Sequence, residues 1–580
     1  MPSTASPTPF VLGGALRRPS WPDSRASLLA VGAVIAVIIA PVRGLYRATG
    51  SSMEEGFMLV FPTLVQQGRA ANEDFLHLYG PTSLDVLALW YRVVGDTLET
   101  QRTFGLLQHV GIIFALYALG RAWGHVTAVG SALVASMLIL TPIGLSALAW
   151  HGALAFGLWA VVFAIRSAGT GAVSDLWWAG GLAGLALGYR PDLVIGLGLS
   201  LGVVLLWHRP RCWWAVLAGA AVGLLPMWFH LARVGPVTAF RGMVLDPIVE
   251  LRPGRELPRP PGWDEADGAL QAVAEGVPPW WGLPAIGHSQ QLFFWFFAVI
   301  VVAIAVPLVG WRAVRRSDGA DPAAGALLIG GLFGLGILPQ ALQRPDSTHL
   351  AWVAVVSWAL LVPACVLLAG RRLDLTRRAV GATVAVGLLM LVVCPFYTYR
   401  HYLLHTRVSA GQLPLPFLVE RGDHRFWFGD FFVANALNEM IPELEARSEP
   451  GDRLVVGPAD LSRTIYSDVS VYFLFPELEP ATYYIEMDPG LADAEGSGLA
   501  EDIASADFLV LTNIWTGWNE PNASDLHRSP EHNQAVADGF CLVGRYEDNL
   551  VLLFERCDGG GGIDPAEVTG RYPVVANDDA

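Results

Sequence analysis

Eleven apolar stretches, nearly free of charged residues, recur through this 580-residue chain at about 26–43, 103–120, 126–142, 145–165, 176–189, 193–207, 213–231, 291–310, 323–340, 350–369 and 379–396. A membrane-spanning helix uses about 20 mostly apolar residues, and in lipid only helices and closed barrels satisfy every backbone N–H and C=O. Read as spans, these stretches absorb roughly 220 residues and leave about 360 for loops and a folded domain. The expected fold is an α-helical polytopic membrane protein. At 53% hydrophobic and 15% charged, the composition excludes a purely soluble chain.

All 37 basic residues are arginine, so any anion must be held by Arg, His or backbone N–H groups. With residues 1–25 as a cytoplasmic tail, the inner segments carry fourteen arginines, from Arg17 to Arg378, against five acids, Asp23, Asp175, Asp318, Asp321 and Asp374. The positive-inside rule then puts residues 44–102, 232–290 and everything from 397 onward outside. The expected location is the cytoplasmic membrane, multi-pass, with the C-terminal part extracytoplasmic. A net charge of -15 argues against a nucleic-acid partner, since phosphate backbones need a basic footprint.

The first outer segment, 44–102, has two apolar runs, Phe57 to Leu64 and Leu84 to Trp90, each with polar residues on one side, which suits helices lying in the bilayer interface. The second, 232–290, reads as a Pro- and Arg-rich loop ending in Pro278-Pro279-Trp280-Trp281, an aromatic end suited to the headgroup layer. Residues 26–396 are thus a membrane domain. From 397 the pattern changes: 31 acids face 11 arginines, and β-like runs occur at Arg453–Gly457, Phe508–Thr512, Phe540–Gly544 and Leu550–Phe554. Residues 397–558 are expected to form an extracytoplasmic α/β domain, and 559–580, which opens on four glycines, a flexible tail. A hairpin centred on Asn549 would set Cys541 opposite Cys557, where an outside location permits a disulfide. The alternative is two free thiols at strand ends.

Acids and arginines gather on the outer face at the ends of the spans. Glu54, Glu55, Asp74 and Tyr79 lie in the first segment, Arg190 and Asp192 in one short turn, and Arg344, Asp346 and His349 in another. Activating a hydroxyl needs a carboxylate that takes its proton, and a phosphate leaving group needs cations, for which the planar arginine fork is well suited. Each residue also has a plainer reading. Glu54 and Glu55 would stabilise a helix N-terminus, Asp74 would cap a loop, and each Arg–Asp pair would close a Pro turn as a local salt bridge. No metal spacing, nucleophile elbow or P-loop is present.

The order Glu54-Glu55-Gly56-Phe57, then Glu73-Asp74-Phe75 and Tyr79-Gly80-Pro81, resembles the first outer loop of the C-type glycosyltransferase superfamily. These multi-spanning enzymes include protein O-mannosyltransferases and lipid A aminoarabinose transferases. The family usually has an Asp-Glu pair after the first span, its first member acting as base. Here Glu54 stands at that position and Glu55 at the second, with Glu in place of Asp, so the base is Glu54 or Glu55. Asp74 matches the loop's second acidic position, and Arg102 resembles the arginine found before the second span. The resemblance implies inverting transfer of a sugar from a polyprenyl-phosphate donor to a glycan, lipid or protein acceptor hydroxyl, with arginines on the phosphate, and their shared outer-face position makes Arg190 and Arg344 the expected ones. It implies no required cofactor and leaves room for a divalent metal. Two other classes compete, a flippase of lipid-linked saccharides and a membrane-anchored polymer-binding protein. The spans hold few ionisable residues to line a path, and an anchor would not need eleven of them.

Overall fold

Every one of the eleven apolar stretches carries a helix in the computed structural model, which describes residues 25–208, 210–264, 287–317, 321–370, 373–394 and 399–570. The helices are Arg25–Ile39, Leu98–Gly120, His125–Ile139, Ala149–Thr170, Val173–Tyr189, Val194–His208, the pair Trp214–Gly223 and Leu225–Val234, His288–Arg316, Pro322–Gly336, Ser347–Leu368 and Leu375–Val393. Among the described residues, seven helices are long and apolar enough to cross a membrane, or eight if the pair bent by 54° is one span. The ends follow capping chemistry: Asp321, Asp346 and Asp374 each accept a backbone N–H of the first turn that follows. Glycines let helices touch. A Cβ at Gly180 or Gly184 would strike the Val216 or Ala220 carbonyl, so these glycines serve close packing.

Both apolar runs of the first outer segment are helical, Glu54–Gln66 and Thr82–Val94. They are tied by Tyr91 O–H donating to the Met58 carbonyl at 2.9 Å and by Gln66 Nε2 donating to that of Ala88 at 2.6 Å. Thr82–Val94 keeps an apolar outer edge, with Leu89 63% and Val93 77% exposed, whereas Glu54–Gln66 is mostly enclosed by protein. The second outer segment differs from the expected loop. Pro236–Phe240, Arg241–Glu250 and Arg252–Arg255 are helical, with apolar residues at Val237, Phe240, Met243, Val244, Leu245, Ile248 and Val249 ahead of the Arg-Pro dipeptides. Pro278-Pro279-Trp280-Trp281 lies outside the described residues.

The C-terminal region opens with helix Tyr399–Ser409, whose Tyr402 donates to the Val37 carbonyl at 2.6 Å. Seven strands follow: β1 (Phe417–Arg421), β2 (His424–Phe428), β3 (Arg453–Pro458), β4 (Glu479–Pro480), β5 (Phe508–Thr512), β6 (Phe540–Tyr546) and β7 (Val551–Arg556). β1 and β2 form a hairpin, and the others form one sheet in the order β4-β3-β5-β7-β6, with β3 parallel to β4 and β5, and β7 antiparallel to β5 and β6. Side chains alternate between two buried faces. Leu454, Val456, Phe508, Val510 and Leu553 pack with helix Phe431–Arg447 and continue the core of the helical bundle. Val455, Leu509, Leu511, Leu552 and Phe554 pack against Leu499, Ile503 and Val536 in a second core.

Cys541 and Cys557 are bridged, with Cα atoms 5.8 Å apart. Glu547, Asp548 and Asn549 make the turn, all at positive φ. A bulge between Leu542 and Gly544 shifts the register, so Cys541 faces Glu555 and Cys557 reaches it from just beyond the strand. Residues 559–570 differ from the expected free tail. Gly561 N–H donates to Phe540 O at 2.8 Å, and Asn513 Nδ2 donates to Val568 O at 2.9 Å, which fastens this stretch to the domain.

Candidate functional site

The C-terminal domain is clamped onto the first outer segment. A Cβ on Gly56 would lie 2.7 Å from Ser470 N, so only glycine lets helix Glu54–Gln66 meet helix Ser470–Leu474 this closely. Ser470 N–H donates to the Ser52 carbonyl at 3.0 Å, and Leu76 N–H to that of Tyr483 at 2.8 Å. Between the two parts lies a cavity of about 420 Å³. Its apolar wall includes Phe57, Leu148, Trp150, Val244, Ile248 and Trp352, and its polar wall includes Glu54, Tyr79, Arg190, Asp192, Arg255, Arg344, His349, Glu486 and Asp488.

Glu54 stands in the first turn of its helix and reaches this cavity. Tyr466 O–H donates to Oε1 at 2.7 Å, and Ser51 O–H donates to Oε2. Glu55 points elsewhere. Its side chain is 1% exposed and receives both arms of the Arg102 fork, Nε at 2.8 Å and Nη2 at 2.7 Å. Arg102 Nη1 also donates to the carbonyls of Tyr46 at 2.9 Å and Ala48 at 3.1 Å. Helix Leu98–Gly120 begins before the expected span, which draws Arg102 into a sealed ion pair away from the cavity. Asp74 is also apart from it. Oδ2 accepts the Ala70 N–H at 2.6 Å and lies 3.9 Å from Arg233, the loop-capping arrangement. Glu55, Asp74 and Arg102 therefore do not line the cavity, and Glu54 is the first-segment acid that opens on it.

Arg190 donates Nε and Nη2 to Asp192 at 3.0 and 2.8 Å, which closes the Pro191 turn. The same guanidinium lies 4.7 Å from the centre of the Tyr79 ring and 5.4 Å from that of Trp150, so it is held over the cavity floor by cation–π contacts. Behind Tyr79, His77 is fully buried 5.5 Å away, and burial pushes its pKa down to about 3, so it packs as a neutral ring. Burial likewise raises the pKa of the Tyr79 hydroxyl. Arg344 is more fully engaged. Nη1 and Nη2 donate to Glu520 at 2.9 and 2.5 Å, Nη1 to the Arg255 carbonyl at 2.8 Å, and Nε faces Asp346 at 3.2 Å. Asp346 also accepts from the His349 N–H and Nδ1, each at 2.8 Å.

Five participants escape the sequence reading: Tyr466, Arg255, Glu486, Asp488 and Glu520. Arg255 donates Nη2 to Asp488 Oδ1 at 2.8 Å and lies 5.2 Å from the Tyr466 ring centre. Glu486 and Asp488 are 3% and 2% exposed, and burial, with each other's charge close by, raises the pKa of Glu486 well above the carboxylate norm. Met487 between them has φ of 53°, a strained value for a residue with a side chain. No local sequence signal marks these positions: Arg255 comes from the helix Arg252–Arg255 of the second outer segment, and docking of a domain some 400 residues downstream brings the other four into place.

Among the described residues, no group of three or more His, Cys, Asp or Glu side chains is arranged to hold a metal ion.

No family model matches the chain, and no curated protein matches it. Solved structures of similar shape are C-type glycosyltransferase-fold proteins. One is ArnT from Cupriavidus metallidurans bound to undecaprenyl phosphate, at 12% identity and a TM-score of 0.49, covering 96% of this chain and 100% of that one. Another is the archaeal oligosaccharyltransferase AglB from Archaeoglobus fulgidus, in complex with an inhibitory peptide and a dolichol-phosphate, at 11% identity, a TM-score of 0.42 and coverage of 89% and 73%. The Archaeoglobus oligosaccharyltransferase in complex with Zn and sulfate stands at 13% identity and a TM-score of 0.41, covering 92% of this chain and 73% of that one. At these values the likeness is one of overall shape and assigns no residue or substrate.

Proposed function

We propose that the chain is a membrane glycosyltransferase that moves a sugar from a polyprenyl-phosphate donor to an acceptor hydroxyl of a glycan, lipid or protein. The observation that carries this reading is the placement of Glu54, Arg190 and Arg255 around one cavity whose other wall is apolar. An apolar wall takes a prenyl chain, arginines take a phosphate, and a carboxylate takes a proton. The roles divide by free donors. Arg190 and Arg255 each spend part of the fork on one carboxylate, while Arg344 is spent on Glu520, Asp346 and a carbonyl. Arg190 and Arg255 therefore hold the phosphate, and Arg344 ties helix Ser347–Leu368 to the C-terminal domain.

In this mechanism Glu54, oriented by Tyr466, removes the acceptor proton as the acceptor oxygen attacks the anomeric carbon. The bond from that carbon to the phosphate oxygen breaks, the configuration inverts, and polyprenyl phosphate leaves against Arg190 and Arg255. We assign this step to the outer face of the cytoplasmic membrane, a reading that the arginine bias of the inner segments supports. The test is to incubate purified protein with a panel of polyprenyl-phosphate sugars and candidate acceptors. Acceptor-dependent release of polyprenyl phosphate is expected, and none across the panel overturns the reading.

A further inference from the structure

Glu486 is the one acid of the cavity wall whose chemistry the mechanism leaves unused and whose side chain has no hydrogen-bond or ion-pair partner among the described residues. It is 3% exposed, and its Oε1 is buried without a partner. Asp488 repeats the pattern on one side, with Oδ1 taken by Arg255 and Oδ2 buried without a partner. Burying polar groups unpaired is costly, and holding Met487 at φ 53° between them adds backbone strain. A fold keeps both costs where a ligand relieves them. The residue at the bend is fully buried, which locks the two carboxyl groups toward the cavity that both line.

The ligand group must satisfy unpartnered oxygens on two residues separated by one position. A phosphate is disfavoured there by the acids themselves, Glu54 among them, whose charge acts on both. A cation would meet the Arg255 guanidinium, 2.8 Å from Asp488. Hydroxyl groups suit both constraints, since each is neutral, donates one hydrogen bond and accepts others. Burial raises the Glu486 pKa well above the carboxylate norm, which favours the protonated form and with it a donor to offer.

We propose that Glu486 and Asp488 read adjacent hydroxyl groups of the saccharide unit, so that the C-terminal domain selects the sugar while the helical part holds the lipid phosphate. The identity of the ligand as a sugar rests on the transferase reading above. Glu54 and the arginines then act on atoms common to all donors, whereas Glu486 and Asp488 touch what distinguishes them.

The experiment measures binding by the full-length protein, through the fluorescence of the cavity tryptophans Trp150 and Trp352, of undecaprenyl phosphate, a panel of undecaprenyl-phosphate hexoses and pentoses, and single-deoxy analogues of the tightest binder. Wild type is expected to bind one sugar-bearing lipid at least about tenfold tighter than the bare lipid phosphate, the worth of one or two hydrogen bonds. Glu486→Leu removes that preference, Glu486→Gln restores most of it, and one deoxy analogue binds wild type and Glu486→Leu equally. Because the replaced acid is buried and unpaired, the melting temperature of Glu486→Leu should not fall, and the near-isosteric Glu486→Gln tests the site if it does. Equal weakening of bare and sugar-bearing lipid, or no sugar preference in wild type, overturns the proposal. Should the preference depend on Glu486 while no donor releases polyprenyl phosphate, the sugar site stands and the transferase reading falls. Release with a preference that Glu486→Leu leaves intact gives the reverse.

Discussion

On one side of the first turn of helix Glu54–Gln66, Glu55 is sealed against Arg102, the two side chains 1% and 2% exposed. On the other, Glu54 opens on the cavity, held by Tyr466 and Ser51 rather than by a cation. The two acids are adjacent in sequence, and the roughly 100° of helix rotation between them gives them opposite work. A carboxylate with both oxygens on a buried arginine is fixed and inaccessible. One held by a neutral phenol is oriented and still free to take a proton.

The largest effect expected from this contrast is on folding. Glu55→Gln leaves Arg102 as a buried charge without its counter-ion and should cost about 3–5 kcal/mol, read as a lowered unfolding midpoint in detergent. A loss of turnover at unchanged stability would instead move Glu55 into the chemistry. Next comes Tyr466→Phe combined with Glu54 intact: it removes one hydrogen bond to the carboxylate and should lower turnover about tenfold with a small change in donor KM. An effect on KM alone would make Tyr466 a binding group. Smaller still is Asp74→Asn, whose exposed ion pair and loop cap should be worth no more than about 1 kcal/mol of stability, with activity retained. Strong inactivation would restore Asp74 to the site.

A separate effect is a pH dependence away from the cavity. Burial raises the Asp85 carboxyl to about 6 in the folded chain, against about 4 for a free carboxyl, so folding favours its protonated form. That contribution is complete below pH 4 and lost as pH rises through 6. Asp85→Asn should therefore raise the melting temperature at pH 7.5 and leave it unchanged at pH 4. An equal gain at both values would point to a cause other than titration.

Local patterns made most of the architecture readable. Apolar runs announced the helices of the membrane part, short β-like runs announced β3, β5, β6 and β7, and a turn centred on Asn549 pointed to the Cys541–Cys557 bridge. Each depends on residues close in the chain. The site was half legible for the same reason. Glu54, Arg190 and Arg344 lie at ends of helices that hydropathy reveals, whereas Tyr466, Glu486 and Asp488 reach the cavity, and Glu520 reaches Arg344, only through domain docking. The distinction between Glu54 and Glu55 was equally hidden, because it turns on which face of one helix turn meets Arg102.

The central claim is that Glu54 is the base facing a lipid-phosphate sugar. It is tested most directly by comparing single-turnover release of polyprenyl phosphate by wild type and Glu54→Gln, with donor affinity measured on the same preparations. The amide keeps size and hydrogen bonding while losing the basic lone pair, so release should slow by about a hundredfold or more at nearly unchanged donor affinity. Release at the wild-type rate from a folded Glu54→Gln protein would contradict the account.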